Sequence, residues 1–188
     1  NKIIDEIRKQ SSNKKMIISG FFTQANGNIY NSMSLISKDI KFYNKRKLVP
    51  FGEYTPWYDI FLFISNYINF PLSNITPGTE NQDSIFFNGT HIIPVICFES
   101  NFPNLVESIQ TDEIIVNISN DGWFGDSFSQ HQHLQINKIR ALEFNRYLLR
   151  STNTGISAVI TNKGKVLKSI ENNERGTISG IALAGFNT

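Results

Sequence analysis

The single cysteine of this chain lies where a reactive side chain is often placed. Cys97 ends the apolar run HIIPVIC (91–97), and a turn-forming Asn-Phe-Pro sequence follows at 101–103. A strand that ends in a turn fixes the sulfur atom and exposes it, which suits a nucleophile. A lone cysteine after an apolar strand is, however, more often a small core residue. Position alone leaves both interpretations open, and other residues must decide between them.

Charged residues in a second stretch, NKRKLVPFGE (44–53), would complete a nucleophilic site. A thiol with its ordinary pKa of about 8.5 is mostly protonated at neutral pH. A nearby ammonium such as that of Lys45 favours the thiolate, and a carboxylate can accept the thiol proton. Lys45 could also stabilise negative charge on an acyl oxygen, and Glu53 and Glu99 could hold its ammonium in place. A solvated basic turn at 45–47 is the alternative interpretation.

Two polar groups in the second half of the chain have plainer interpretations. His131 and His133 lie two positions apart in a predicted helix, so they point in different directions and are poorly placed to bind one metal ion. Arg150 opens the polar stretch RSTN (150–153) between a predicted helix and a predicted strand. Capping of that junction is the favoured role for Arg150.

Two aromatic stretches could contact an apolar substrate. The sequence SNDGWFG (119–125) predicts a strand end and a turn, and its Trp123 and Phe124 could also form an acyl-binding wall beside a pocket. The segment 57–71 is unusually aromatic and either packs on the core as a lid or contacts a bilayer interface, where Trp and Tyr are favoured. We expect this segment to form an exposed or loosely packed aromatic arm near the mouth of the pocket.

Strands that alternate with helices must position these residues. Short apolar runs bounded by turn residues predict strands, and the apolar spacing from Ser129 to Leu149 predicts one long helix. The predicted strands are 16–22, 30–37, 40–45, 84–87, 91–97, 113–119, 156–161 and 165–170, with further helices within 1–15 and at 103–110. Asn-Gly at 88–89 and Lys-Gly at 163–164 predict hairpin turns. The pattern indicates an α/β layered domain with a mixed sheet.

The composition narrows the class of protein. The chain has 188 residues, 40% of them hydrophobic, enough for one domain with a proper core. Its net charge of +2 gives no indication of a nucleic-acid surface. One cysteine excludes an internal disulfide and a multi-thiolate zinc site. The longest apolar stretch begins at Trp57 and is interrupted by polar residues, so it falls short of the roughly 18–20 residues of a membrane-spanning helix.

Six motifs in one collinear order resemble the carbon–nitrogen hydrolase (nitrilase) superfamily. They are Lys45 with LVPFGE, then ICFE, SNDGWFGD, QH, RALE and LLRSTNTG. Within the superfamily they are more similar to the apolipoprotein N-acyltransferase branch than to the soluble amidases. The resemblance implies a nitrilase-like, four-layer α-β-β-α sandwich and a Glu-Lys-Cys triad, with no cofactor and no metal.

The resemblance also implies a role for each matching residue. Cys97 is the nucleophile, Lys45 the triad lysine and Glu53 a supporting carboxylate. The residues expected at the substrate pocket are Phe98, Glu99, Trp123 and Phe124. We expect the Cys97 sulfur to lie within a few ångströms of the Lys45 ammonium.

The implied reaction moves a fatty acyl group from a phospholipid to the N-terminal amine of an apolipoprotein through a Cys97 thioester. Its partners would be the phospholipid donor, the apolipoprotein acceptor and a membrane surface, with no nucleic acid. Its place would be the periplasmic face of the inner membrane. The alternatives are a soluble amidase that hydrolyses a small amide, and an inactive fragment.

One part of the family pattern is not matched. The general-base glutamate of the family lies on a strand ahead of the first helix seen here, and Asp5 and Glu6 are interpreted as solvated helix charges. We therefore expect residues 1–188 to be a C-terminal, N-terminally truncated portion of the hydrolase domain, without its first strand and without a membrane-spanning region. The isolated chain is expected to be nearly inactive because a positioned base typically contributes about 10²–10⁴ to such steps.

Overall fold

The computed structural model describes residues 2–11, 14–56, 74–82, 85–106, 113–125 and 127–184. The helices within these ranges are α1 (Lys2–Gln10), α2 (Pro103–Val106) and α3 (Ser129–Glu143), with short 3-10 turns η1 (Cys97–Asn101) and η2 (Asp121–Phe124). The strands are β1 (Ile17–Ala25), β2 (Asn28–Ile36), β3 (Ile40–Asn44), β4 (Ile85–Phe87), β5 (Thr90–Ile96), β6 (Glu113–Ser119), β7 (Tyr147–Thr152), β8 (Ser157–Ile160) and β9 (Val166–Ile170). The aromatic segment 57–71 lies outside the described residues.

The described strands form two sheets. The smaller sheet is antiparallel with the order β1-β2-β3, and the larger has the order β4-β5-β6-β7-β8-β9. Asn26-Gly27 joins β1 to β2 and Asn88-Gly89 joins β4 to β5, and all four residues have positive φ angles. Such turns match the twist of the strands they connect. The predicted hairpins at 88–89 and 163–164 are confirmed by the antiparallel pairs β4–β5 and β8–β9. The predicted mixed sheet is also confirmed, because β5, β6 and β7 pair in parallel while the other pairs of the larger sheet are antiparallel.

Two apolar clusters define the layers. The cluster between the sheets contains Met33, Leu35 and Tyr43 from the smaller sheet and Ile85, Ile92, Ile96 and Val116 from the larger one. The cluster on the opposite face of the larger sheet contains Ile93, Val95, Ile115, Leu148, Ala158 and Ile160, packed against Val106, Leu134 and Ala141 of α2 and α3. Successive residues of a strand point to opposite faces, so one strand such as β5 serves both clusters.

The parallel strands bring three chain segments to one edge of the larger sheet. Cys97 follows β5 directly, Asp121 follows β6 after one intervening residue, and Arg150 lies in β7. Parallel neighbours end at the same edge, and side chains with chemical roles commonly gather there. The fold therefore places the cysteine next to residues that are distant in the sequence.

One predicted element is wrong. The helix expected over 129–149 ends at Glu143, and the chain turns through Asn145, which has φ 51°, before β7 begins at Tyr147. The apolar residues at 147–149 continue the helical spacing, but their backbone pairs in parallel with β6. Tertiary pairing overrides the local pattern here. Arg150 consequently lies inside a strand rather than at a helix–strand junction.

Candidate active site

Cys97 occupies a strained position at the end of β5. It is half-buried, begins the turn η1 and has φ 49°, a left-handed conformation that is uncommon for a residue other than glycine. Its carbonyl oxygen accepts a hydrogen bond from Ser100 Oγ (3.0 Å) and lies 3.2 Å from His133 Nε2. Surrounding contacts must over-determine such a conformation, and strain of this kind clusters at functional sites. The geometry favours the nucleophile interpretation over simple packing.

Lys45 and Glu53 form a buried ion pair, here called the lysine pair. Lys45 is 1% exposed, and its Nζ lies 2.6 Å from Glu53 Oε2. Glu53 also accepts hydrogen bonds from the Val49 backbone N–H (2.8 Å) and from Asn31 Nδ2 (2.6 Å). A buried pair is tolerated when its remaining hydrogen-bonding capacity is satisfied in this way. The expectation that Glu53 holds the Lys45 ammonium agrees with this geometry.

Glu99 differs from its expected role. It is fully buried at 0% exposure, and its carboxylate accepts hydrogen bonds from the backbone N–H groups of Ile96, Arg46 and Lys47 and from the Tyr43 hydroxyl. Glu99 was expected to contact substrate and to help hold the Lys45 ammonium. Four protein donors already surround the carboxylate. Its hydrogen bonds tie the residues after Lys45 to the turn that carries Cys97.

Burial controls the ionisation of this carboxylate and its partner. Burial raises the pKa of Glu99 above its ordinary value, against the opposing effect of the backbone hydrogen bonds and the Tyr43 hydroxyl. Burial and the neighbouring Glu99 likewise raise the pKa of Tyr43. The turn that carries Cys97 is thus anchored through the Glu99 carboxyl group, which ionises less readily in the protein than it would in water.

A second group of buried charges, here called the histidine cluster, consists of Asp121, His133 and Arg150. Asp121 is 0% exposed, and its two oxygens lie 3.0 Å from His133 Nδ1 and 2.6 Å from Arg150 Nη2. Ser119 Oγ donates to the same carboxylate (2.6 Å). Arg150 also donates to the Ile156 carbonyl and to the Asn117 side-chain oxygen. Residues of η2, α3 and the parallel strands thus supply hydrogen-bond partners for the buried charges of the cluster.

The electrostatics of the histidine cluster are set by competing effects on Asp121 and Arg150. Burial alone would raise the pKa of Asp121, but the hydrogen bond from His133 and the charge of Arg150 outweigh it, and the pKa is lowered. Burial lowers the pKa of Arg150, an effect that Asp121 and Cys97 oppose. A thiolate at Cys97 would therefore be attracted by the guanidinium.

The histidine cluster lies directly beside the thiol. Cys97 Sγ, a carboxylate oxygen of Asp121 and a ring nitrogen of His133 all lie within 4.8 Å of one another. Thiolate, imidazole and carboxylate are also metal-ligand types. Here the Arg150 guanidinium approaches both Asp121 and His133 Nδ1 (3.2 Å), so a fixed cation already meets these donors. The donor set is therefore a poor fit for a metal ion.

The aromatic residues around the site differ in exposure. The Phe124 ring meets the His133 ring edge-to-face, with 6.0 Å between centroids, and Phe98 meets Phe102 in the same way at 5.2 Å. Trp123 is 75% exposed. The predicted turn is confirmed as η2, in which Asn120 Oδ1 accepts from the Gly122 N–H. Phe124 thus lies beside the cluster, while Trp123 faces solvent.

The sequence interpretation missed the histidine cluster. The sequence suggests only a metal-ligand role for His133, together with His131, and the two face different ways: His133 is buried, while His131 stacks on Phe128. Asp121 was interpreted as turn chemistry and Arg150 as a cap. The available signal was that Cys97, Asp121 and Arg150 all lie at or near the ends of consecutive strands, which parallel pairing would bring together.

Comparison with known proteins adds family and fold. The model of the carbon–nitrogen hydrolase family matches residues 3–182. An apolipoprotein N-acyltransferase of Coxiella burnetii is 34% identical over 178 residues, which are 94% of this chain and 37% of that protein. Its counterpart in Nitrosomonas europaea is 40% identical over 144 residues, 76% of this chain and 29% of that protein. The chain therefore spans about a third of the length of these curated relatives.

Solved structures support the same fold. A carbon–nitrogen hydrolase of Helicobacter pylori aligns with a TM-score of 0.67 at 16% identity, covering 97% of this chain and 64% of that one. A CN-hydrolase superfamily protein of Xanthomonas campestris, with an arsenic adduct in its active site, gives 0.64 at 15% identity, covering 92% and 65%. The expected nitrilase-like sandwich is confirmed.

Proposed function

The chain belongs to the carbon–nitrogen hydrolase family, and on that premise we propose that it carries the nucleophile of an acyltransferase that moves a fatty acyl group from a phospholipid to the N-terminal amine of an apolipoprotein. One observation carries the proposal: the chain's single cysteine is held in a strained turn, next to buried charges, within a sequence similar to apolipoprotein N-acyltransferases over nearly its whole length. The names of those relatives supply the apolipoprotein acceptor and the acyl transfer, and the phospholipid donor is what the resemblance implies.

The first half-reaction forms a thioester. The Cys97 thiolate attacks the ester carbonyl carbon of the phospholipid, a C–S bond forms, and the carbonyl electron pair moves onto oxygen. When the intermediate collapses, the C–O bond breaks and the lysophospholipid leaves as an alkoxide that takes up a proton. Lys45, held by Glu53 (2.6 Å), would face the oxyanion. A preorganised donor of this kind typically contributes about 10²–10³ in rate.

The second half-reaction returns the cysteine. The α-amine of the apolipoprotein attacks the thioester carbonyl, a C–N bond forms, the C–S bond breaks, and the amine loses a proton. Both half-reactions use the same oxyanion position, as is usual in ping-pong catalysis. The general base is assigned by the resemblance to a glutamate upstream of the first helix, so the full-length protein is the enzyme under test.

The acyl donor places the reaction at a membrane surface, proposed here to be the periplasmic face of the inner membrane. Trp123 within η2 and Phe128 just before α3 are 75% and 72% exposed. Exposed aromatic rings are favoured at the bilayer interface. Among the described residues, no helix is long and apolar enough to cross a bilayer. These exposed rings support the proposed contact with a lipid surface.

The test compares transfer with hydrolysis. The full-length protein is incubated in detergent with a phospholipid labelled in one acyl chain and a diacylglyceryl lipopeptide with a free N-terminal amine. We expect label in the lipopeptide amide, and none when Cys97→Ala replaces wild type. Small aliphatic amides, assayed in parallel for ammonia release, are the amidase arm. Amide hydrolysis without acyl transfer would overturn the proposal in favour of an amidase.

A further inference from the structure

The peptide group that follows the nucleophile is held from one side. Ser100 Oγ donates to the Cys97 carbonyl oxygen at 3.0 Å, and His133 Nε2 lies 3.2 Å from the same oxygen. A peptide group is planar, and in the trans form its C=O and N–H point in opposite directions. Two partners on the carbonyl therefore also fix the direction of the Phe98 N–H.

The Phe98 N–H is suited to bind an acyl oxyanion. It belongs to the first turn of η1, where N–H groups have no partner within the turn. At a nucleophile placed on a strained turn, the backbone N–H of the next residue is a common oxyanion donor. Such a donor acts only when it is aimed correctly before the reaction. The orientation of this one peptide plane would then set part of the acylation rate.

A proton on His133 Nε2 would make the ring a donor at this point. The Ser100 hydroxyl gives its one hydrogen to the Cys97 carbonyl, which leaves its oxygen able to accept from His133 Nε2 at 3.1 Å. An Nε2–H would then satisfy two acceptors, the Cys97 carbonyl oxygen and the Ser100 hydroxyl oxygen. At the other side of the ring, Nδ1 faces the Asp121 carboxylate at 3.0 Å.

The imidazole itself is held on every side. Asp121 from η2 and Arg150 from β7 approach Nδ1, Ser100 and Cys97 from η1 approach Nε2, and the Phe124 ring packs against its edge. His133 is 4% exposed. A buried ring with a carboxylate partner keeps one orientation, as in catalytic groups whose base is oriented by a third residue. The cluster thus has the rigidity that a backbone clamp needs.

We propose that His133 is a positioning residue: its Nε2–H clamps the Cys97 carbonyl so that the Phe98 N–H faces the acyl oxyanion, and Asp121 with Arg150 fixes the ring. His133 acts through the peptide and does not touch the substrate. The inference deepens the proposed function and rests on it for the natural acyl donor. It applies equally to any ester that acylates Cys97.

Two near-isosteric variants separate the two sides of the ring. In His133→Gln the amide nitrogen reaches the position of Nε2 and can still donate to the Cys97 carbonyl. In His133→Asn it reaches only the position of Nδ1 and keeps the Asp121 contact. We expect His133→Asn to lose about 10²–10³ in the acylation rate at saturation with little change in KM, the range found for one oxyanion donor. His133→Gln should acylate at least about tenfold faster than His133→Asn. Ser100→Ala, which removes the other donor to the Cys97 carbonyl, should have an acylation rate between those of the two His133 variants.

Two readouts on the full-length protein make the test specific. A p-nitrophenyl ester reports acylation of Cys97 as a burst of p-nitrophenolate without requiring a lipid, and phospholipid transfer is measured beside it. Iodoacetamide alkylates Cys97 without forming an oxyanion, so its rate, followed on the peptide that contains Cys97, should change no more than about threefold in all variants. A burst with the ester but no phospholipid transfer by wild type would reject the proposed function alone.

The clamp itself is overturned by any of three results. Equal acylation by His133→Asn and wild type would show that the carbonyl needs no histidine donor. Equal loss in His133→Gln and His133→Asn would show that the Nε2 position has no special role. A fall in alkylation parallel to the fall in acylation would point to an altered thiol rather than an altered peptide plane. The expected pattern is selective loss of acylation with recovery by glutamine.

Discussion

The lysine pair and the histidine cluster both keep charge buried, and the histidine cluster lies beside the thiol. Lys45 and Glu53 are eight residues apart and lie in one continuous loop. In the histidine cluster Asp121 is 12 residues from His133 and 29 from Arg150. The first region aims a cation, and the second fixes a ring and a backbone. A local motif can deliver a charge, whereas an oriented peptide plane needs several elements of the fold.

The largest expected effect is loss of the cation of the histidine cluster. Arg150→Met would leave Asp121 buried without its guanidinium, and breaking a buried pair costs about 3–5 kcal/mol. For a chain of this size that lowers Tm by roughly 6–20 °C. The control is Lys47→Met, which removes the same charge from an exposed pair with Glu80 (3.4 Å) and should change stability by less than about 0.5 kcal/mol. Calorimetry of both variants checks this; equal Tm values would contradict the cluster's structural role.

The lysine pair should affect the acylation rate at least as much as the histidine cluster does. Lys45→Met removes the cation proposed to meet the oxyanion, and we expect acylation of Cys97 to fall by at least about 10²–10³. Glu53→Gln keeps an oxygen acceptor for the Lys45 ammonium, so its loss should be smaller. Burst kinetics with an activated ester compare the two. If Glu53→Gln is the slower enzyme, the carboxylate has a role of its own beyond holding Lys45.

A glycine in contact with Asp121 sharpens the comparison, because it allows the histidine cluster to be disturbed by added volume alone. A Cβ added at Gly155 would lie 2.1 Å from Asp121 Oδ2. Gly155→Ala must push the carboxylate away, and such overpacking costs about 1–3 kcal/mol. Gly176→Ala is the matched control, since its Cβ would meet only the Ile170 side chain at 3.4 Å. Urea unfolding that shows equal stability for both would mean that Asp121 can move freely.

The smallest expected effect is a difference in pH dependence between Asp121 and Glu99. The pKa of Asp121 is lowered below its ordinary 3.8, so its stabilisation is present above that pH and is lost as the pH falls through the lowered pKa. The pKa of Glu99 is raised above 4.5, so its contribution is full below that pH and declines as the pH rises through the raised pKa. The two carboxylates therefore act on stability with opposite signs.

Unfolding free energies from about pH 3 to pH 7 measure both effects. Asp121→Asn should flatten the rise in unfolding free energy with pH that occurs below the ordinary Asp pKa of 3.8. Glu99→Gln should flatten the decline in unfolding free energy that occurs above pH 4.5. A change of the same sign in both variants would contradict the assigned causes, namely burial at Glu99 and the hydrogen bonds and charge of His133 and Arg150 at Asp121.

Local chemistry made part of this molecule predictable. The hairpin at Asn88-Gly89 follows from residues that accept positive φ, and the structure has both there with φ 48° and 81°. Lys45 and Glu53 were found because they belong to one short motif. The strand β7 was missed because its apolar residues continue the spacing of α3, and only pairing with β6 distinguishes the two.

The histidine cluster could not be read from local pattern in the same way. Each member has an adequate role in its own segment: Asp121 in a turn, His133 on a helix and Arg150 near a polar loop. Their shared role arises when β5, β6 and β7 align in parallel, which places the end of one strand beside the next. Parallel register depends on contacts far apart in the chain, so no short window of sequence contains it.

The central claim, that one thiol carries the acyl group, is tested most directly by intact-protein mass spectrometry. The full-length protein is mixed with a phospholipid of defined acyl chains in the absence of an acceptor amine and is quenched in acid. Its intact mass is measured, and a peptide digest then locates the acyl group. We predict one acyl mass on the peptide that contains Cys97, removed by neutral hydroxylamine and absent in Cys97→Ala. An acyl group on another residue, or unchanged labelling in Cys97→Ala, would contradict the account.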